Sequence, residues 1–147
     1  MIALTSDSAM LATDGLLDNL EPVSQTSIRS WQKAPISDIN ELEAYGIVAS
    51  KARPLHILVR SKSDRVQSER VVNHVWSGTI PPGSLHYLAS GVMISSPEFC
   101  FLQAAADGIG PAACIAMESC GSYGRDGSAR GFCERDPISS VEKLRRY

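Results

Sequence analysis

The sequence has no apolar run approaching the ~18 residues that a membrane-spanning helix needs, and aromatics make up only 6% of its 147 residues. The first shortage excludes a bilayer-spanning segment. A basic stretch ahead of an apolar run is missing too: MIALTSDSAMLATDGLLDNL places Asp7 and Asp14 inside its most apolar part. No secretory signal is expected, so the chain is expected in the cytoplasm with its four cysteines as reduced thiols. Neither sign of charge dominates, with 20% charged residues and a net charge of −2. That excludes a uniformly basic nucleic-acid binder and leaves a local patch open.

Close cysteine pairs are also missing. Cys100, Cys114, Cys120 and Cys133 lie far apart, whereas structural zinc favours C-x₂₋₄-C knuckles that present two thiolates at once. Cys114 and Cys120 share a predicted helix six positions apart and so face different ways. His56, His74 and His86 are scattered, the first two on different predicted strands. Buried, inert thiols are the expectation, with no metal and no cofactor. CGSYG at 120–124 nearly matches the nucleophile elbow, but it follows a helix, and the elbow needs a strand before its serine. Gly121, Gly124 and Gly127 recur beside Arg125 and Arg130 without the lysine of a phosphate loop. Asp64, Glu69 and the Glu142–Lys143 pair lack the spacing of a nuclease carboxylate set. No catalytic residue is assigned.

Apolar residues reach 44%, enough for a core in one domain. The charge is unevenly spread. Residues 1–50 carry seven acidic and two basic side chains, while 51–70 carry six basic and two acidic. Arg53, Arg60, Lys62, Arg65 and Arg70 flank two predicted strands, with Trp76 and Tyr87 expected nearby as stacking surfaces. They are the candidate nucleic-acid contacts, set against the plainer alternative of a solvated rim that protects sheet edges.

The elements follow from local pattern. PLHILVR predicts a strand over 54–60 and RVVNHVW another over 70–76, joined by a polar connection. HYLASGVMIS predicts one or two short strands with Gly91 at a turn. SSPEFCFLQAAADG predicts a helix capped by Ser95 or Ser96, with Pro97 in its first turn and Glu98 favoured by the helix dipole. Glu98 and Cys100 are therefore read as the beginning of a helix rather than as a catalytic pair. IGPAACIAMESCG predicts a second helix over 110–120, ended by Gly121, and SYGRDGSARG a glycine-rich loop. Ser139 and Glu142 have the spacing of a capping box for a last helix. That helix has run about two turns at Tyr147, so further sequence is expected to follow it. Helices are also expected at 9–20 and 37–46, with a loop between them. The expectation is an α+β fold: a small mixed or antiparallel sheet over 54–95, packed by two or three helices. Residues 1–50 form a helical extension ahead of a 51–147 domain.

Three stretches together, PLHILVR with RVVNHVWSGTIPPGS, then GVMISSPEFCFLQAAA, then ESCGSYG leading to ISSVEKLRRY, resemble an uncharacterised actinobacterial, largely coriobacterial, family. The series is also similar to the abortive-infection antitoxins. In the coriobacterial family it precedes a domain similar to the very-short-patch-repair endonucleases. Ser119 departs from the family's apolar residue, while Glu118, Cys120, Gly121 and Tyr123 match. The resemblance implies a toxin–antitoxin or repair setting. It places any cleavage ligands beyond Tyr147, so it carries no catalytic residue over. The leading expectation is a non-catalytic recognition or regulatory module that contacts DNA or RNA. The alternatives are a degenerate or partner-completed metal-dependent nuclease, and a structural domain that binds a protein partner or a missing C-terminal half.

Overall fold

The computed structural model describes residues 2–5, 8, 9, 19–31, 42, 47–125 and 132–147. Its frame is a five-stranded mixed sheet of β1 (Ile2–Leu4), β2 (Leu55–Val59), β3 (Val71–Val75), β4 (Leu85–Ala89) and β5 (Val92–Ser95). The spatial order is β3-β2-β1-β5-β4. β2 and β3 run parallel, as do β1 and β5; β1 is antiparallel to β2, and β4 to β5. The architecture is α+β, as the pattern of elements predicts.

The strands expected from PLHILVR, RVVNHVW and HYLASGVMIS are present within a residue or two, and Gly91 turns between β4 and β5 with φ of 78°. The middle strand was not expected. Residues 1–50 read as a helical extension, yet Ile2–Leu4 is the strand on which both halves of the sheet meet. All three of its residues are buried, so it shows no alternation, and three residues are too few to establish a period. A boundary at residue 50 would cut the sheet through its centre. The helices expected at 9–20 and 37–46 lie largely outside the described residues.

The sheet buries both faces. One carries Ile2, Leu4, Leu55, Ile57, Val59, Val71, Val92 and Ile94 beneath Leu42, Ala49 and Val66. The other carries Ala3, Leu58, Leu85 and Met93 beneath the helices. α1 (Gln25–Ser30) lies in a stretch that reads as loop. The Ser24 side chain caps it by accepting from the Ser27 amide, and tertiary burial of Ile28 supplies what six residues cannot. α2 (Pro97–Asp107) inserts the fully buried Phe99. Gly108, at φ of 131°, then turns the chain directly into α3 (Ile109–Cys120). Cys100 and Ala104 of α2 pack on Ala112 and Ile115 of α3. The outer face of α3 leaves Ile109 and Met117 at 90% and 75% exposure. A short hairpin, β6 (Tyr123–Arg125) and β7 (Phe132–Glu134), leads to α4 (Val141–Arg146). Part of the expected glycine-rich loop, 126–131, lies outside the described residues.

At the helix ends, one capping detail agrees with expectation and two differ. Ser96, one of the two serines expected there, caps α2, accepting from the Phe99 amide at 3.2 Å. Ser140 rather than Ser139 caps α4, because the Ser139 hydroxyl donates to Glu98. Gly121 is extended, at φ of −86°, instead of left-handed. Among the described residues no helix is long and apolar enough to cross a membrane.

Candidate functional site

The five candidate cations surround the β2–β3 side of the sheet without converging on one point. Arg53 precedes β2 in an exposed turn, where its amide donates to the Ser50 hydroxyl at 3.0 Å. Arg70 immediately precedes β3, so these two share the end where both parallel strands begin. Arg60 and Lys62 sit at the opposite end, about 17 Å away for strands of five residues. The Arg60 guanidinium donates to the Gly78 carbonyl at 3.0 Å, which orients the group and leaves its charge unneutralised.

Arg65 lies on the returning connection. Asn73 of β3 pins that connection with two hydrogen bonds: its side-chain oxygen accepts from the Val66 amide at 2.8 Å, and its side-chain nitrogen donates to the Val66 carbonyl at 3.0 Å. Arg53, Lys62 and Arg65 are exposed and form no ion pair with any described residue. Lys51, by contrast, pairs with Glu69 at 3.2 Å.

The expected stacking surfaces are not available to this rim. Trp76 meets Phe99 edge-on, with ring centroids 5.4 Å apart, and its indole nitrogen donates to the Thr79 carbonyl at 3.2 Å. Tyr87 belongs to β4, at the far edge of the sheet, and packs into the helix-covered core. Burial draws both rings into the fold.

Two histidines that look scattered in sequence come together. The parallel register sets His56 opposite Val72 and His74 opposite Leu58, diagonal neighbours on one face. His56 Nδ1 and His74 Nε2 are 2.9 Å apart, and the rings stack with centroids 5.1 Å apart. Such a bond holds one proton between the two nitrogens. Among the described residues no group of three or more His, Cys, Asp or Glu side chains is placed to hold a metal ion. The thiols also differ from one another: Cys100 is buried as expected, whereas Cys114 is exposed.

A second site, absent from the sequence reading, is a cleft of about 370 Å³ at the β4 side. His86 of β4, Ser96 and Glu98 at the start of α2, and Lys143, Arg146 and Tyr147 of the last helical segment line it. The Ser139 hydroxyl donates to Glu98 Oε1 at 2.5 Å, and the hydroxyls of Ser84 and Tyr147 are hydrogen-bonded. Burial pushes the Tyr147 phenol above its ordinary value, against the opposing effect of hydrogen bonds from Ser84 and Ser96, so it remains protonated at neutral pH. Burial also holds His86 below its ordinary value, and Glu98 only partly offsets this. Its Nδ1 is enclosed with no hydrogen-bond partner among the described residues. Burial raises the nearby Cys120 thiol, and the charges of Glu98 and Glu142 raise it further, which makes it a poor nucleophile.

Glu98 is therefore both a first-turn residue, as SSPEFC suggests, and a wall of this cleft. No local signal reveals the second role, because Ser139 lies 41 residues away in the chain. Comparison with known proteins finds no family model, no curated relative and no solved structure that matches this chain.

Proposed function

We propose that this chain is a non-catalytic recognition or regulatory module of a cytoplasmic defence- or repair-associated protein, and that it contacts nucleic acid along the β2–β3 rim. The observation that carries the reading is the state of Arg53, Lys62 and Arg65: exposed, without an ion pair among the described residues, and mounted on a short, well-tethered segment. An unpaired surface cation can replace a condensed counterion on a phosphate at little desolvation cost. The resemblance to antitoxin-like modules that precede endonuclease domains supplies the biological setting.

Phosphate contacts position a protein without reading bases. With Trp76 half-buried against Phe99, the described residues of the rim offer no open aromatic platform, so binding is expected to be insensitive to sequence. The test is binding of the chain to labelled double- and single-stranded DNA and RNA at two salt concentrations. The same assay is run on the triple variant Arg60→Glu, Lys62→Glu and Arg65→Glu. Wild-type binding should weaken steeply with salt, and the reversal should lower the logarithmic salt slope by about three. Absence of binding at low salt, or equal binding by the triple variant, removes the reading.

A further inference from the structure

The cleft at the β4 side stands apart from the rim. β3 and β4 are the outermost strands, four strand spacings or roughly 19 Å apart. Its polar side chains come from three elements distant in sequence, β4, α2 and α4; the Tyr147 hydroxyl bonds to Ser96, but the charged groups form no ion pairs with one another. Lys143 and Arg146 form no ion pair with any described residue. Glu98, on the same cleft, is tied to Ser139 rather than to either cation.

The histidine adds direction. His86 Nδ1 is enclosed and has no hydrogen-bond partner among the described residues, so Nε2 is the ring nitrogen left open. Enclosing an unpaired N–H is rarer than enclosing an unpaired acceptor, which assigns the single ring proton to Nε2. The ring is neutral at pH 7 because burial lowers its pKa, and it offers that N–H as a donor. The site thus holds two unmatched cations, one outward-facing neutral donor and one carboxylate.

We propose that this cleft binds a small phosphate monoester, with its phosphate held by Lys143, Arg146 and His86 Nε2–H and its organic part donating to Glu98. Two cations and a neutral donor match a dianion with three terminal oxygens, whereas a carboxylate, with one charge and two oxygens, leaves a cation unmatched. A volume of 370 Å³ lies within the ~300–1,000 Å³ of small-ligand sites and leaves room beyond the phosphate for a sugar-sized group. Glu98 makes the site selective. Its charge repels a bare phosphate, and only a ligand bearing a hydroxyl or amine offsets that repulsion.

The test is isothermal titration of the full chain with ribose 5-phosphate, inorganic phosphate and ribose. Ribose 5-phosphate should bind saturably, and at least about tenfold more tightly than inorganic phosphate or ribose. The double variant Lys143→Glu and Arg146→Glu should weaken binding by at least about tenfold, and both positions are exposed, so the fold tolerates the change. His86→Ala should weaken binding severalfold, with partial rescue by His86→Gln, which keeps a side-chain N–H. The rim reversal at Arg60, Lys62 and Arg65 should leave this affinity unchanged. Three results would each overturn the proposal: no saturable binding up to about 10 mM, equal affinity in the double variant, or loss of binding in the rim variant. Nucleic-acid binding by the double variant reports on the rim separately, so either reading can fail without the other.

Discussion

The two ends of the sheet carry polar groups in opposite ways. At the β2–β3 end the cations all come from the twenty consecutive residues 51–70, and three of them stand in solvent without an ion pair among the described residues. At the β4 end the polar groups come from residues 83–98 and 138–147, and several are half-buried and bonded to one another. Exposed charges contribute little to stability and act at long range, in proportion to their number. Enclosed groups are coupled to folding, so their protonation and their partners change with it. The rim should therefore be separable from the fold and the cleft should not.

The largest expected effect lies under the cleft. Phe99 closes the core beneath the start of α2, so Phe99→Ala should lower the unfolding free energy by about 3–5 kcal/mol in urea titration. A loss below about 1 kcal/mol would mean that α2 does not hold the β4 end together. Next comes Asn73, a rim residue tied into the fold by its side chain. Asn73→Ala removes both bonds to Val66 and should cost about 1–3 kcal/mol. An unchanged urea midpoint would show the connection held by other contacts.

The pH response sharpens the contrast. The folded-state pKa of His86 lies below its ordinary 6.5, so as pH falls the unfolded chain takes up the proton first. Stability is therefore lost as pH drops below about 6.5, until the folded pKa is passed. His86→Gln should flatten the acid limb of midpoint against pH relative to wild type. His56 and His74 are present in both proteins, so their titration cancels in the difference. Parallel acid limbs would place His86 in solvent. The smallest effect belongs to the rim: the Arg60, Lys62 and Arg65 reversal should shift stability by no more than about 0.5 kcal/mol. A larger loss would make those cations part of the fold.

Much of the architecture was legible because it depends on neighbours in sequence. β2, β3 and β5 announce themselves by Val and Ile, β4 by Leu and Tyr ahead of the Gly91 turn, and α2 by Ser96-Pro97 with apolar spacing behind it. β1 was not legible, since three buried residues carry no period, and α1 was not, since its stability comes from burying Ile28. The cap of α4 shifted by one residue for a tertiary reason: Glu98 claims the Ser139 hydroxyl, and Ser140 takes its place.

The sequence by itself determined the α+β class, four of the five sheet strands, the beginnings and ends of α2 and α3 within a residue or so, and the concentration of positive charge in residues 51–70. Each depends on properties read along a few residues: propensity, alternation, capping and charge. Only the tertiary structure decided that Ile2–Leu4 is the sheet's middle strand, that His56 and His74 share a proton, that Trp76 is withdrawn from the rim, and that His86, Glu98 and Tyr147 enclose a cleft. The physical reason is the same in each case. These arrangements are set by which surfaces exclude water together, and residues distant in the chain meet only when the whole core is formed.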